Sequence, residues 1–554
     1  MSRPGIDATP LTELPSFRPT QAAKVPPCQA ACAANGDVRG WIGAVAQRRR
    51  LGWDDDTALE RSFRILAAMN PFPATLGRIC PHPCESGCNR TTKDDPLAIG
   101  LLERFIGDWA LERSAPLPLV SAESTGFSVA VVGAGPAGMS FAYQMARRGH
   151  AVTVFERETE AGGMLRFGIP EYRLPRRVIA AELDRIVALG VQVVPGVTVG
   201  RDIRLDDLRS RYDAIFLAVG ANVARGLGVP GEDLPQVVAG IDYLDALSRS
   251  GHPAVGPRVA VVGGGNTAID AARSARRDGA RVTVFYRRTR AEMPASATEI
   301  EEAVDEGVDF RFLESPVEVR PSGDAVVLVT QQMVLGEPDA SGRRRPEPVP
   351  GSAMETEMDT VLVAVSQAPD LGLLGDGAAL PPAGRFGEVL PGVWLGGDAV
   401  APSIAGAAIR HGRQAAEVVD ARLRGADAPM TETPDPIGPE AIRFHHLPNR
   451  DAAQEFRAPV ERALAQPDLE VARGIESSQF FAEVDRCFSC GLCSGCAMCF
   501  TYCTVGAFTR VSPATPGGYF ALDLSVCVEC GKCIEVCPCG YLEPIAAMEL
   551  VTTS

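Results

Sequence analysis

The sequence predicts an α/β chain: two doubly wound parallel-sheet units in the middle, a helical cysteine-rich module before them and a smaller α+β cysteine-rich module after. Three observations carry this. A strand–glycine turn–helix–strand pattern at residues 127–156 recurs at residues 258–288. All 16 cysteines lie either at or before Cys88 (five) or at or after Cys487 (eleven), leaving the middle empty. At 554 residues the chain exceeds what one hydrophobic core organises, so several domains are expected.

The first pattern is FSVAVVGAGPAG, Phe127–Gly138. A β-branched run ending at Val132 meets a Gly-x-Gly-x-x-Gly turn. Gly133 permits the tight turn, Gly135 lets backbone approach a pyrophosphate, and Gly138 lets the helix pack closely on the strand. Pro136 and Ala137 open that helix, whose first N–H groups have no partner within it and suit phosphate. The next strand, Ala151–Phe155, ends in Glu156, placed to accept from a ribose diol. This is a Rossmann-like dinucleotide site.

The second pattern, from Arg258, repeats the plan with Gly263 and Gly265 in the first two glycine places, Asn266 and Thr267 next, and Ala268 in the third. Where the first site has Glu156, this one has Arg287 and Arg288. A carboxylate there favours a free 2′-hydroxyl, whereas guanidinium forks pair with a 2′-phosphate. The second site therefore reads as an NAD(P)H site that prefers NADPH, and the first as FAD by contrast.

Composition is that of a globular protein, 46% hydrophobic and 22% charged. A net charge of −15 argues against a nucleic-acid partner, which wants a basic face. The basic runs Arg48–Arg50 and Arg343–Arg345 read as solvated surface. The first residues show neither an apolar core nor a basic leader, and no apolar run approaches the roughly 18–20 residues of a membrane helix. A cytoplasmic location without membrane contact is expected.

Tight cysteine spacings in such a protein read as metal sites rather than disulfides. Cys493-x2-Cys496-x2-Cys499-x3-Cys503 followed by Cys527-x2-Cys530-x2-Cys533-x3-Cys537 is the spacing of bacterial two-cluster ferredoxins, where the fourth cysteine of each run ligates the other cluster. Cys493, Cys496, Cys499 and Cys537 are therefore assigned to one [4Fe–4S] cluster, and Cys527, Cys530, Cys533 and Cys503 to the other. Cys487 and Cys490 extend the first run upstream, which leaves a slipped register (Cys490, Cys493, Cys496) open. Near the N-terminus, Cys28, Cys32, Cys80, Cys84 and Cys88 supply enough thiolates for one cluster, with structural zinc the alternative. The cysteine-free middle excludes a redox-active disulfide beside the dinucleotide sites.

GRICPHPCESGC (Gly77–Cys88), the GAGPAG turn, GGMLRFGIPEYRLP (Gly162–Pro175) and GGGNTAID (Gly263–Asp270) resemble the small (β) subunit of glutamate synthase, over about residues 25–425. The same module resembles the N-terminal part of dihydropyrimidine dehydrogenase and recurs in NADPH-dependent ferredoxin and iron oxidoreductases. The resemblance implies a helical iron–sulfur domain followed by an FAD domain into which an NAD(P) domain is inserted. It implies that Gly162, Gly163, Met164 and Leu165 approach the flavin from a loop at Ala161–Pro175, and that Gly220 marks the crossing between domains. Gly397 and Asp398 would meet the ribityl chain, and a helix beginning near Ala405–Ala407 would point its positive end at the flavin ring. Cys32, Cys80, Cys84 and Cys88 would hold the N-terminal cluster. Family members with two N-terminal clusters carry a Cys-x-x-Cys just before the position of Cys28; here Ala22, Ala23 and Lys24 stand there, so Cys28 reads as a spare thiol.

The domain expectation is an N-terminal arm (1–25), a helical [4Fe–4S] domain (26–120), FAD domain halves (121–240 and 369–425) around an NAD(P)H domain (241–368), a linker (426–482) and a ferredoxin-like domain (483–554). Three [4Fe–4S] clusters, about 12 iron atoms, follow. The expected function is electron transfer between NADPH, FAD and the clusters, to or from a partner oxidoreductase subunit or ferredoxin in a hetero-oligomer. No acid–base or nucleophilic constellation stands out, and hydride transfer between bound cofactors requires none. Two other readings are a glutamate synthase small subunit, which the added C-terminal module speaks against, and an electron-transfer scaffold with a silent nucleotide site, which the intact GGGNTA turn speaks against.

Overall fold

The computed structural model describes residues 18–339, 342–375, 378–427 and 435–545. Residues 1–17 of the expected arm lie outside the described residues.

Two parallel sheets form the middle. The first has six strands in the spatial order Gly387–Leu390, Val393–Leu395, Ala214–Leu217, Ser128–Val132, Ala151–Phe155, Gln192–Val194, parallel throughout except for the outermost pair. Val129, Ala130 and Val131 are fully buried, as a sheet covered on both faces requires. The second has five parallel strands in the order Asp309–Phe312, Arg281–Tyr286, Arg258–Val262, Thr360–Val363, Val237–Ala239. Against it leans a four-stranded antiparallel sheet from residues 314–358, whose Val326, Leu328 and Met358 share a core with Ala260, Phe285 and Val361.

The chain leaves the first sheet and returns through a small antiparallel pairing of Val223–Ala224 with Gln367–Ala368. The second unit is therefore inserted in the first. Its edge strand Val237–Ala239 lies ahead of the expected boundary at residue 241. Three residues are too few to announce themselves by pattern.

The N-terminal helices Val38–Ala46, Asp55–Met69, Pro73–Ile79 and Ile99–Glu112 form the helical module. Asp54 caps the second by accepting from Thr57 N at 2.7 Å. The last two touch backbone to backbone: a Cβ on Gly77 would lie 2.3 Å from Arg104 N, and one on Gly107 would lie 2.2 Å from Ala74 N.

Four expectations need correction. Arg48 is buried rather than solvated, its guanidinium held by Asp55 at 2.6 Å and the Val45 carbonyl at 3.0 Å, over the Phe481 ring. The loop at 161–175 contains one helical turn, Met164–Phe167, which fits between the flanking glycines Gly163 and Gly168. The described part of the expected linker is packed, not free. Phe480 has no exposure and stacks on Phe105 at 4.2 Å, and Glu470 bonds Arg78 (2.7 Å) and Arg104 (2.8 Å). Finally, the arm carries a short strand: Pro19–Gln21 pairs antiparallel with Leu542–Pro544.

The two cysteine-rich ends are consequently in contact. Tyr519 Oη donates to Gln47 Oε1 at 2.7 Å, and Arg50 donates to the Ser494 carbonyl at 2.8 Å. The C-terminal end carries the hairpin Phe508–Thr515/Gly518–Leu522 and short helices Met498–Tyr502 and Lys532–Glu535. Among the described residues no helix is long and apolar enough to cross a membrane.

Phe480→Ala is expected to cost about 3–5 kcal/mol, the usual range for emptying a buried aromatic site. The check is an earlier urea transition of the helical module, with faster proteolysis in residues 450–482.

Candidate functional site

A cleft of about 560 Å³ opens at the carboxyl ends of the first sheet, where ligands of open parallel sheets bind. Gly133, Gly135, Pro136, Ala137, Glu156, Gly163, Met164, Gly220, Gly397 and Asp398 all line it. Gly138, Leu165 and Ala407 do not. Gly138 acts one layer beneath: a Cβ there would lie 2.0 Å from the Gly133 carbonyl. Leu165 is buried in the core, and Ala408 takes the lining place expected of Ala407.

The cleft is built from backbone outward. Glu156 is buried and both its oxygens accept backbone N–H groups, from Ala134 at 2.6 Å and Glu158 at 2.9 Å. That fixes the carboxylate at the end of its strand. The Gly162 N–H bonds the Ala134 carbonyl at 2.9 Å, and a Cβ on Gly163 would lie 2.8 Å from Gly135 Cα. The loop is thereby pinned over the fingerprint turn, and Gly163, with φ of +51°, can be nothing bulkier. Asp398 accepts from Ser403 N at 3.2 Å, and burial pushes its carboxyl up to about 6. Asn222, Thr198, Arg201 and Asp370 also line the cleft and were not foreseen; they sit on loops with no motif to mark them.

In the second unit, Gly263 leaves no room for a side chain, since a Cβ would lie 2.3 Å from the Ala364 carbonyl. Gly265 precedes the helix Asn266–Arg277, and Thr267 and Ala268 lie in its first turn. Asn266 accepts from Ser296 N at 3.4 Å. The two arginines part company. Arg288 is buried, its guanidinium held by the Arg344 carbonyl at 2.7 Å and Asp339 at 2.6 Å. Arg287 is exposed at the end of its strand.

The loop beside the flavin-type cleft reaches into the second unit. Arg173 bonds Asp270 at 2.7 Å and pairs with Glu299, while the Tyr172 ring lies under the Arg277 guanidinium at 3.8 Å. Tyr172 and Arg173 belong to the same Gly162–Pro175 segment, so one loop is tied to both cofactor units.

The cysteines fall into four sets. Cys493, Cys496, Cys499 and Cys537 line one small cavity, with Cys539 Sγ 3.8 Å from Cys537 Sγ. Cys503, Cys527, Cys530 and Cys533 line another. These are the groupings expected from the unslipped register. The N-terminal grouping differs from expectation. Cys32, Cys80 and Cys84 lie within electrostatic reach of Glu103, a carboxyl that burial pushes up to about 8 and that accepts from Asn70 Nδ2 at 2.9 Å. Cys88 is not with them. It lines a third cavity with Cys28, Cys487 and Cys490, so Cys28 is not isolated either. The physical reason is local: the short helix Pro83–Ser86 ends at Gly87, and Cys88 starts a new turn, Asn89–Thr92, against the C-terminal segment. Among the described residues no three His, Cys, Asp or Glu side chains converge closely enough to hold a single metal ion.

Comparison with known proteins is consistent with this layout. The pyridine nucleotide-disulphide oxidoreductase profile matches residues 127–412, and the profile of dihydropyrimidine dehydrogenase domain II, 4Fe-4S cluster, matches residues 18–115. The chain is 36% identical, over 84% of its length and 75% of the relative's, to the NADPH-Fe(3+) oxidoreductase subunit beta of Geobacter sulfurreducens. It is 38% identical to the NADP(+)-dependent formate dehydrogenase subunit beta of Moorella thermoacetica, over 84% of this chain and 70% of that one. It is 34% identical to the glutamate synthase [NADPH] small chain of Escherichia coli, over 71% and 87% respectively.

Gly138→Ala is expected to weaken FAD retention at least about tenfold, because the methyl must displace the Gly133 carbonyl that shapes the turn. Flavin absorbance after desalting checks this.

Proposed function

The chain belongs to the pyridine nucleotide-disulphide oxidoreductase family, and from that premise we propose that it passes electrons between NADPH, FAD and [4Fe–4S] clusters, to or from a partner subunit. The observation that carries the reading is the cysteine-free cleft. Residues 89–486 contain no cysteine, so no disulfide serves as relay, while thiol sets occupy both ends of the chain. FAD bound there would take an electron pair from NADPH and release it one electron at a time to the clusters.

The residues suit these groups. The N–H groups at the start of the helix Pro136–Ala146 would hold the pyrophosphate, and Glu156, already oriented by two backbone donors, would accept from the ribose. Asp398 is aimed into the cleft with one backbone donor, leaving acceptor capacity for a ribityl hydroxyl. Arg287 is the guanidinium free to meet a 2′-phosphate; Arg288 supports the adjoining strand instead. For the thiol sets, Cys493, Cys496, Cys499 and Cys537 would ligate one cluster and Cys503, Cys527, Cys530 and Cys533 a second. Cys32, Cys80 and Cys84 would ligate a third, with Glu103 completing the set. Backbone N–H groups on Cys80 (from His82, 3.4 Å) and Cys503 (from Ala507, 3.2 Å) would tune the potentials.

Anaerobic reduction of an artificial dye by NADPH tests the reading; no turnover by flavin-loaded protein overturns it. Arg287→Ala is expected to raise KM for NADPH about tenfold, the loss of one charge-assisted phosphate contact, with little change for NADH. Asp398 supplies a pH dependence. Burial holds its free carboxyl near 6, and a donating hydroxyl favours the ionised form, so FAD affinity is full above pH 6 and declines as pH falls below it. Asp398→Asn flattens that dependence, as isothermal titration from pH 5 to 8 will show.

A further inference from the structure

Four cysteines separated by up to 462 residues meet in one small cavity: Cys28 and Cys88 from the N-terminal module, Cys487 and Cys490 from the segment that follows the packed linker. The remaining wall joins apolar Ile42, Leu97, Ile99 and Phe488 to the polar side chains of Arg39, Asn89 and Arg90. We propose that Cys28, Cys88, Cys487 and Cys490 together hold a further [4Fe–4S] cluster, ligated jointly by the two ends of the chain.

Three features besides the thiols favour this. Arg39 lines the cavity, spends one guanidinium nitrogen on the Lys24 and Cys490 carbonyls, and leaves Nε buried without a partner. A cluster bound by four thiolates is an anion whose sulfides accept hydrogen bonds, which gives that N–H a role. Ser489 N donates toward Cys487 Sγ at 3.5 Å and Asn89 Nδ2 toward Cys490 Sγ at 3.6 Å, the donor pattern that supports thiolate ligands. The walls are also held rigidly: Arg90 donates to the Arg486 carbonyl at 2.6 Å and lies over the Phe488 ring at 4.4 Å.

Cys487-x2-Cys490 supplies a closely spaced pair from the other end of the chain, and Lys24 N bonds the Gly491 carbonyl at 3.0 Å where the two segments meet. The site also lies between neighbouring sets: Cys28 is four residues from Cys32, and Cys490 three from Cys493.

The test is iron and sulfide analysis of the anaerobically purified full chain beside Cys487→Ala/Cys490→Ala and Cys28→Ala, with FAD content and NADPH bleaching of the flavin read separately. The expected wild-type count is about 16 iron atoms, and each variant is expected to lose about four while keeping FAD and its bleaching. Variants that keep FAD and all the iron of the wild type overturn the proposal, as does stoichiometric zinc lost in place of iron. Should the variants lose FAD and unfold, native mass spectrometry of the wild type decides: about 16 iron atoms upholds the site, and about 12 or fewer overturns it. Failure of flavin bleaching in every form would strike the NADPH–FAD reading and leave the iron count to judge this one.

Discussion

The carboxylate of Glu483 holds the molecule's two ends together. It is almost fully buried and accepts three donors from three separate places: Ala98 N at 2.8 Å, Ala453 N at 2.9 Å and Arg486 at 2.6 Å. Removing one partner from such a buried set leaves an unpaired charge, which costs far more than the pair itself contributes. Beside it Phe480 fills the core of the helical module against Phe105. With the segment clamped there, the residues that follow have no freedom to wander. Phe488, Cys487 and Cys490 are delivered to the wall formed by Cys28, Cys88 and Arg90.

The same logic governs the middle of the chain. Both sheets place their glycine turns at the carboxyl ends of buried parallel strands, where helix N-termini suit phosphates. The loop Gly162–Pro175 makes contacts in both units. Its first residues lie on the flavin-type turn, and its Tyr172 and Arg173 grip the second unit's helix through Arg277 and Asp270.

The residues of the cleft that are legible in the sequence share a property. Gly133, Gly135, Glu156, Gly397 and Asp398 belong to local motifs whose chemistry depends on residues within one turn or one βαβ unit. The lining of the cleft agrees with them. The close spacing within each C-terminal cysteine run is of the same kind, since three thiols of each run line one small cavity. Arg288 shows the limit. Its place after the second strand suggests phosphate, yet Asp339, 51 residues on, takes its guanidinium.

By itself, then, the sequence set out the two glycine turns, the contrast of Glu156 with Arg287, and the close spacing within each C-terminal cysteine run. Each is set by short-range geometry, where backbone spacing alone puts the groups together. Only the tertiary structure decided that Cys28 and Cys88 share a cavity with Cys487 and Cys490, that Glu103 lies within electrostatic reach of Cys32, Cys80 and Cys84, and that the linker is packed and the arm pairs as a strand. The linker's packing rests on burial of Phe480 and satisfaction of Glu483, in part by a group hundreds of residues away. Spacing carries no record of such contacts, because the hydrophobic and hydrogen-bond terms that select them are non-local.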